Sequence, residues 1–126
     1  MNEVVRKLKF KHQAVIINAP PAFQNEFIEL GFTVAFDKYN KSFNTLVFVN
    51  NSKELVDFLN NQLNNIEPDS ILWIAYPKLT SKIKSDIHRD TIRAAVGDYN
   101  LKTVAAISID ETWSALRLRP IDKVGV

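Results

Sequence analysis

The chain has 126 residues, 46% of them hydrophobic, with 16 basic and 14 acidic side chains and a formal net charge of +2. That length suits one ordinary domain, and that apolar fraction builds a core without staples. Cysteine is absent, which excludes disulfides, a thiolate nucleophile and a Cys-ligated metal, and the charge balance is too mild to imply nucleic acid as a partner.

The amino-terminal residues, Met1 to Lys7, lack the apolar centre of a signal peptide. A basic arm follows, with Arg6, Lys7, Lys9 and Lys11 around Leu8 and Phe10. Residues 14–18 form a short apolar run that predicts a buried strand. Pro20 and Pro21 suit a loop or a helix start, and Phe23, Phe27, Ile28 and Leu30 predict a helix that Gly31 ends. Residues 33–37 and 45–50 read as strands. Ser52 is the expected cap of the next helix, whose face is Leu55, Phe58, Leu59, Leu63 and Ile66 and which Pro68 and Asp69 break. Residues 71–76 are apolar on both faces, the pattern of a central parallel strand. A further helix begins between Ser85 and Thr91, with Ile87, Ile92, Ala95, Val96 and Tyr99 inward. Residues 103–109 and 113–118 are two strands joined by a tight turn. Leu116 and Leu118 alternate with Arg117 and Arg119, which predicts one solvated face on the last strand. Every apolar run is strand-length, far short of a membrane span. The expectation is a soluble, cytoplasmic protein with no membrane partner.

Strands alternating with helices predict an α/β fold. The expected architecture is a single domain over residues 1–126. It has a mostly parallel open sheet, helices on both faces and a C-terminal antiparallel hairpin. Residues 38–44 are too few to hold a crossover helix. Either an extended segment crosses there or the second strand turns back antiparallel, and the extended crossing is the preferred reading.

This order of elements resembles a Rossmann-type methyltransferase fold trimmed by one strand–helix unit. The words Val15-Ile16-Ile17-Asn18-Ala19-Pro20, Trp73-Ile74-Ala75-Tyr76-Pro77-Lys78, Ser81 to Asp86, Arg89-Asp90 and Ile109 to Arg117 carry a second resemblance. They resemble a family of small bacterial domains of unknown function, the one numbered three-zero-five-two. That resemblance covers nearly the whole chain and is most specific from Trp73 to Pro120. It implies fold and length and no mechanism.

Ligands of open α/β sheets bind outside the carboxyl ends of the strands. The candidate ligand-binding residues are therefore Asn18, Asp37, Tyr76, Lys78, Ser81, Lys82, Lys84, Arg89, Asp110 and Trp113. The loop after the first strand, Asn18-Ala19-Pro20-Pro21, carries no glycine and loses two backbone donors to proline, which argues against a nucleotide or S-adenosylmethionine. Asp37 stands where such enzymes often keep a ribose-binding carboxylate. The loop after residue 77 sets Lys78, Lys82 and Lys84 among hydroxyls ahead of a helix start, a combination that suits an anion. A mobile, solvated loop is the bland alternative. Asp110 and Glu111 could serve acid–base work or hold a cation, yet neighbours on a strand point opposite ways, so a hairpin turn with Trp113 packed on it is favoured. His12 and His88 lack further ligands at metal-binding spacing, and no catalytic Ser, His and Asp set stands out.

The leading expectation is a non-catalytic α/β module, without cofactor or metal, that binds an anionic small molecule or a protein partner at this edge. The alternative is a degenerate or divergent S-adenosylmethionine-dependent methyltransferase-like enzyme.

Overall fold

The computed structural model describes residues 2–124. Its sheet has five strands: β1 (Val15–Ile17), β2 (Ser42–Phe48), β3 (Ile66–Pro77), β4 (Leu101–Ser108) and β5 (Trp113–Pro120). Their spatial order is β1-β2-β3-β5-β4. β1, β2 and β3 are parallel, and β5 enters antiparallel between β3 and the edge strand β4. The expected α/β architecture with its antiparallel hairpin is what the chain adopts.

Alternation along the strands divides the core in two. On one face Val47, Leu72, Ile74, Leu116 and Leu118 meet Leu55, Phe58 and Leu59 of α3 (Ser52–Asn61) and Ile92 and Val96 of α4 (Arg89–Gly97). On the other, Leu46, Phe48, Ile71, Trp73, Ala75 and Trp113 meet Leu8 of α1 (Asn2–Leu8) and Phe27 of α2 (Pro21–Glu29). Trp73 and Ile74 thus serve opposite layers from adjacent positions. The indole Nε1 of Trp73 donates to the Leu8 carbonyl at 2.9 Å, pinning the end of α1 to the sheet.

Several local expectations need correcting. The basic arm is part of a helix: Leu8 of α1 is fully buried, with Val4 and Val5 packed against the same core. Residues 33–37 make no strand. Thr33 forms a single parallel bridge to Val15, and by Asp37 the chain has turned, with the Asp37 carboxylate accepting the Tyr39 N–H at 2.7 Å. A segment with a neighbour on one side only, and that neighbour three residues long, has little ladder to join. The chain then passes from the outer side of β1 to β2 on its inner side without a helix, the extended crossing that the short connection predicted.

The cap of α3 is Asn51, whose side chain accepts the Glu54 N–H at 2.9 Å, and Ser52 is its first helical residue. That helix ends at Asn61, well before Pro68. Leu63 falls in a 3-10 turn and Ile66 already begins β3. On α2 the register is half right: Phe27 is buried, while Ile28 and Leu30 are 49% and 42% exposed. The outward face of β5 is covered at Trp113 and Ala115 and only half-exposed at Arg117 and Arg119, because β5 is an interior strand.

β3 carries one irregularity. Ser42 pairs with Ile66 and Asn44 with Ile71, so two steps along β2 match five along β3. Residues 67–70 bulge away from the ladder, and Asp69 turns through a φ of 56°, a conformation Asp tolerates better than most residues. Arg119 on β5 grips Asp69 through Nε at 2.9 Å and Nη2 at 3.2 Å. That hydrogen bonding, with the charge of Arg119 behind it, lowers the Asp69 pKa from the usual 3.8. A carboxyl with a depressed folded pKa stabilises the fold at pH above its unfolded value, and that contribution is lost as pH falls through the folded pKa. Thermal melts across pH should therefore show the parent losing more stability below pH 3.8 than an Asp69→Asn variant does. Parallel pH curves for the two proteins would count against this reading of the pair.

Candidate functional site

The carboxyl ends of β1, β2 and β3 form one edge of the sheet, and the switch in strand order lies at β1, where the chain crosses from Thr33 to β2. Three helices present their amino ends near this edge, and the chain's own side chains occupy those of α3 and α4. α2 starts with Pro20 and Pro21, and Gln24 N–H closes on the Pro20 carbonyl at 2.9 Å. At α3, Asn51 takes the Glu54 N–H, the Glu54 carboxylate takes the Asn50 N–H at 3.0 Å, and Asp86 takes the Ser52 N–H at 2.9 Å. At α4 the Thr91 hydroxyl accepts the His88 N–H at 2.9 Å, and Asp90 fills the first turn. Carboxylates and hydroxyls of the chain itself hold the positions an anion would take.

The candidate residues fall into three groups. Lys78, Ser81, Asp110 and Trp113 come together around the β4–β5 hairpin. The Lys78 N–H donates to the Thr112 carbonyl at 2.7 Å, its Nζ meets Ser108 Oγ at 2.7 Å, and the Ser81 hydroxyl folds back on the Lys78 carbonyl at 2.7 Å. The Asp110 carboxylate accepts both the Thr112 and Trp113 N–H groups at 2.8 Å. Its role is to close the turn. Trp113 is buried and stands edge-on to Phe48, ring centroids 5.2 Å apart. Tyr76 is buried too, in the layer beneath α3 and α4.

Asn18 and Asp37 lie apart from that group and from each other. Asn18, at a φ of 60°, lines a cleft of about 480 Å³ with Phe36, Glu54, Asp57 and Phe58. Asp37 lines a different cavity of about 490 Å³ with His12, Asn40 and Asn44. Its carboxyl pKa is lowered by the Tyr39 N–H first and the Asn40 side chain second. The carboxylate is thus spent on its own turn.

Lys82, Lys84 and Arg89 form the third group. All three are exposed. The loop that carries the two lysines is tied at both ends, by Lys78 to Thr112 and by the Ser85 hydroxyl to the Asn50 carbonyl at 2.5 Å. Leu79 stands at its tip, 78% exposed. Arg89 turns along the outer edge of β4, beside Arg93. Sequence reasoning expects Asp86 and Asp90 to compete with an anion at the start of α4, but it does not foresee the bond of Asp86 to Ser52, 34 residues away, nor the exposure of Leu79, which an apolar residue in a basic loop could have signalled. Among the described residues, no group of three or more His, Asp or Glu side chains is arranged to hold a metal ion. No described helix is long and apolar enough to cross a membrane.

No protein-family model matches the chain, and no curated protein matches its sequence. Solved structures do match it, and they share one architecture. The chain has a Rossmann, methyltransferase-like fold. It superposes on a protein of the NADB-Rossmann superfamily from Streptococcus agalactiae with a TM-score of 0.62 at 11% identity, over 94% of this chain and 66% of that one. A SAM-dependent methyltransferase from Aquifex aeolicus gives 0.55 at 10% identity, over 93% and 87% of the two chains. Phosphoethanolamine N-methyltransferase 2 from Haemonchus contortus, in complex with S-adenosyl-L-methionine, gives 0.53 at 17% identity, over 95% of this chain and 38% of that one. At these identities the likeness is one of fold.

Proposed function

We propose that this chain is a non-catalytic α/β module that engages an acidic protein partner through the loop from Lys78 to Arg89. One observation carries the reading. The loop presents Lys82, Lys84 and Leu79 to solvent on a backbone tied at Lys78 and Ser85, and the exposed Arg89 follows at the start of α4. Cations around one apolar anchor suit a carboxylate-rich protein surface, where charge speeds encounter and the buried leucine holds the contact. A small anion is the poorer fit, since the helix ends that would cradle it are filled by Asp86, Asn51, Glu54 and Thr91.

A poly-glutamate peptide and inorganic phosphate are the probes. The peptide should bind, the binding should weaken as salt rises, and a Lys82→Glu, Lys84→Glu, Arg89→Glu variant should lose it. The variant's melting temperature should stay near the parent's, because exposed charges contribute little to stability. Equal peptide binding by parent and variant, or a phosphate-induced thermal shift that the same changes abolish, would sink the proposal.

The second reading, a divergent methyltransferase, is supported by fold alone and opposed by the Pro20-Pro21 loop. Calorimetric titration with S-adenosylmethionine or NAD should give no affinity better than about millimolar, roughly 4 kcal/mol of binding free energy. Micromolar binding of either would favour the enzyme.

A further inference from the structure

At the opposite end of the sheet, around the amino half of β3, we infer a second binding site, built for a small molecule with an apolar body and an amine. The bulge of residues 67–70 lifts β3 out of register and forms one wall of a pocket of about 240 Å³. Leu63, Leu72, Leu101, Leu118 and the Tyr99 ring make an apolar floor. That space exceeds the 150 Å³ or so of a dry cavity that admits benzene. The Tyr99 hydroxyl bonds Asn60, which ties the end of α4 to the end of α3 and fixes one side of the pocket.

The polar groups at this pocket select the ligand. Glu67, Asp69 and Asp122 line it, and none of its lining residues is basic. Arg119 neutralises Asp69, and Lys123 and Arg117 lie close enough to Asp69 to act on its charge. Among the described residues, Glu67 and Asp122 have no such partner. Ser70, on the same wall, buries its hydroxyl without a hydrogen-bond partner among the described residues. A buried, unpaired hydroxyl is costly, and an entering N–H donor would satisfy it. An apolar floor with carboxylates at its mouth accepts an alkyl or aryl amine and rejects the carboxylate of the same shape. Bulges that re-aim side chains are over-represented beside functional sites, and this one carries Asp69.

Two probes with the same phenylethyl body and opposite charge separate the outcomes: phenethylamine and hydrocinnamate. The amine should raise the melting temperature by about 3–6 °C at a tenfold excess over its Kd, and hydrocinnamate should not. Leu101→Trp, which fills the floor, should abolish the shift. Glu67→Gln with Asp122→Asn, both changes at the mouth, should weaken amine binding at least about fivefold, the scale of a lost charge-assisted contact. This pair tests the site even if the tryptophan variant misfolds. An equal response to both probes, no response to the amine at ten millimolar or so, or amine binding unchanged in the double variant would overturn the inference. None of these outcomes touches the Lys78–Arg89 loop.

Discussion

Phe48→Ala should cost about 3–5 kcal/mol of unfolding free energy, the range for removing a packed aromatic from a core. Phe48 is fully buried on β2, and its ring meets two others. It stands edge-on to Trp113 at 5.2 Å and tilted against Phe23 of α2 at 5.9 Å. The alanine would leave a cavity at the junction of α2, the centre of the sheet and the β4–β5 hairpin. The strands among these cannot collapse inward without breaking their pairing. Urea titration of the two proteins gives the difference directly. A loss under about 1 kcal/mol would mean that the ring is not packed as described.

Ile74→Ala is the second large effect, expected at about 2–5 kcal/mol. Ile74 is fully buried on β3, paired with Val47 on one side and Leu116 on the other, beneath α3 and α4. Its backbone amide belongs to the most enclosed strand of the fold, so amides from Ile71 to Tyr76 should be among the slowest to exchange. Fast exchange there would contradict the placement of β3 at the centre of the sheet.

β3 was legible because a run of Ile71, Leu72, Trp73, Ile74, Ala75 and Tyr76 has no polar face, and only a strand covered on both sides uses one. The hairpin was legible for a similar reason: its turn is written in Asp110, whose side chain closes it locally. Segments that depend on distant neighbours were not. Val34, Ala35 and Phe36 have strand character, yet a strand is made by its ladder, and β1 offers only one bridge. The first helix was hidden by its charges: Arg6, Lys7 and Lys9 suggest an arm, while Val4 and Leu8, four apart, mark the packed face.

The candidate site follows the same division. Lys78, Ser81 and Asp110 gather at the β4–β5 turn, whereas Asp37 lies at the other edge, beside the amino ends of β1 and β2, and Asp110, Ser81 and Asp37 are consumed by their own turns. Ser85 is bonded to Asn50, 35 residues away. No periodicity reports that a hydroxyl is already bonded to a backbone carbonyl from another loop. Residues left over after such bonds are counted, Lys82, Lys84 and Arg89, are the ones with chemistry to offer a partner.

The place of β5 has a consequence for how the chain is made. β3 pairs with β5 along residues 113–118, whereas β4, synthesised earlier, pairs only with β5. Until residue 120 has emerged, Trp73 and its neighbours lack their antiparallel partner, and an apolar strand is exposed along one side. Such an edge invites pairing with another nascent chain. Interrupted synthesis or proteolytic loss of Trp113–Pro120 should therefore yield aggregates rather than a smaller folded domain.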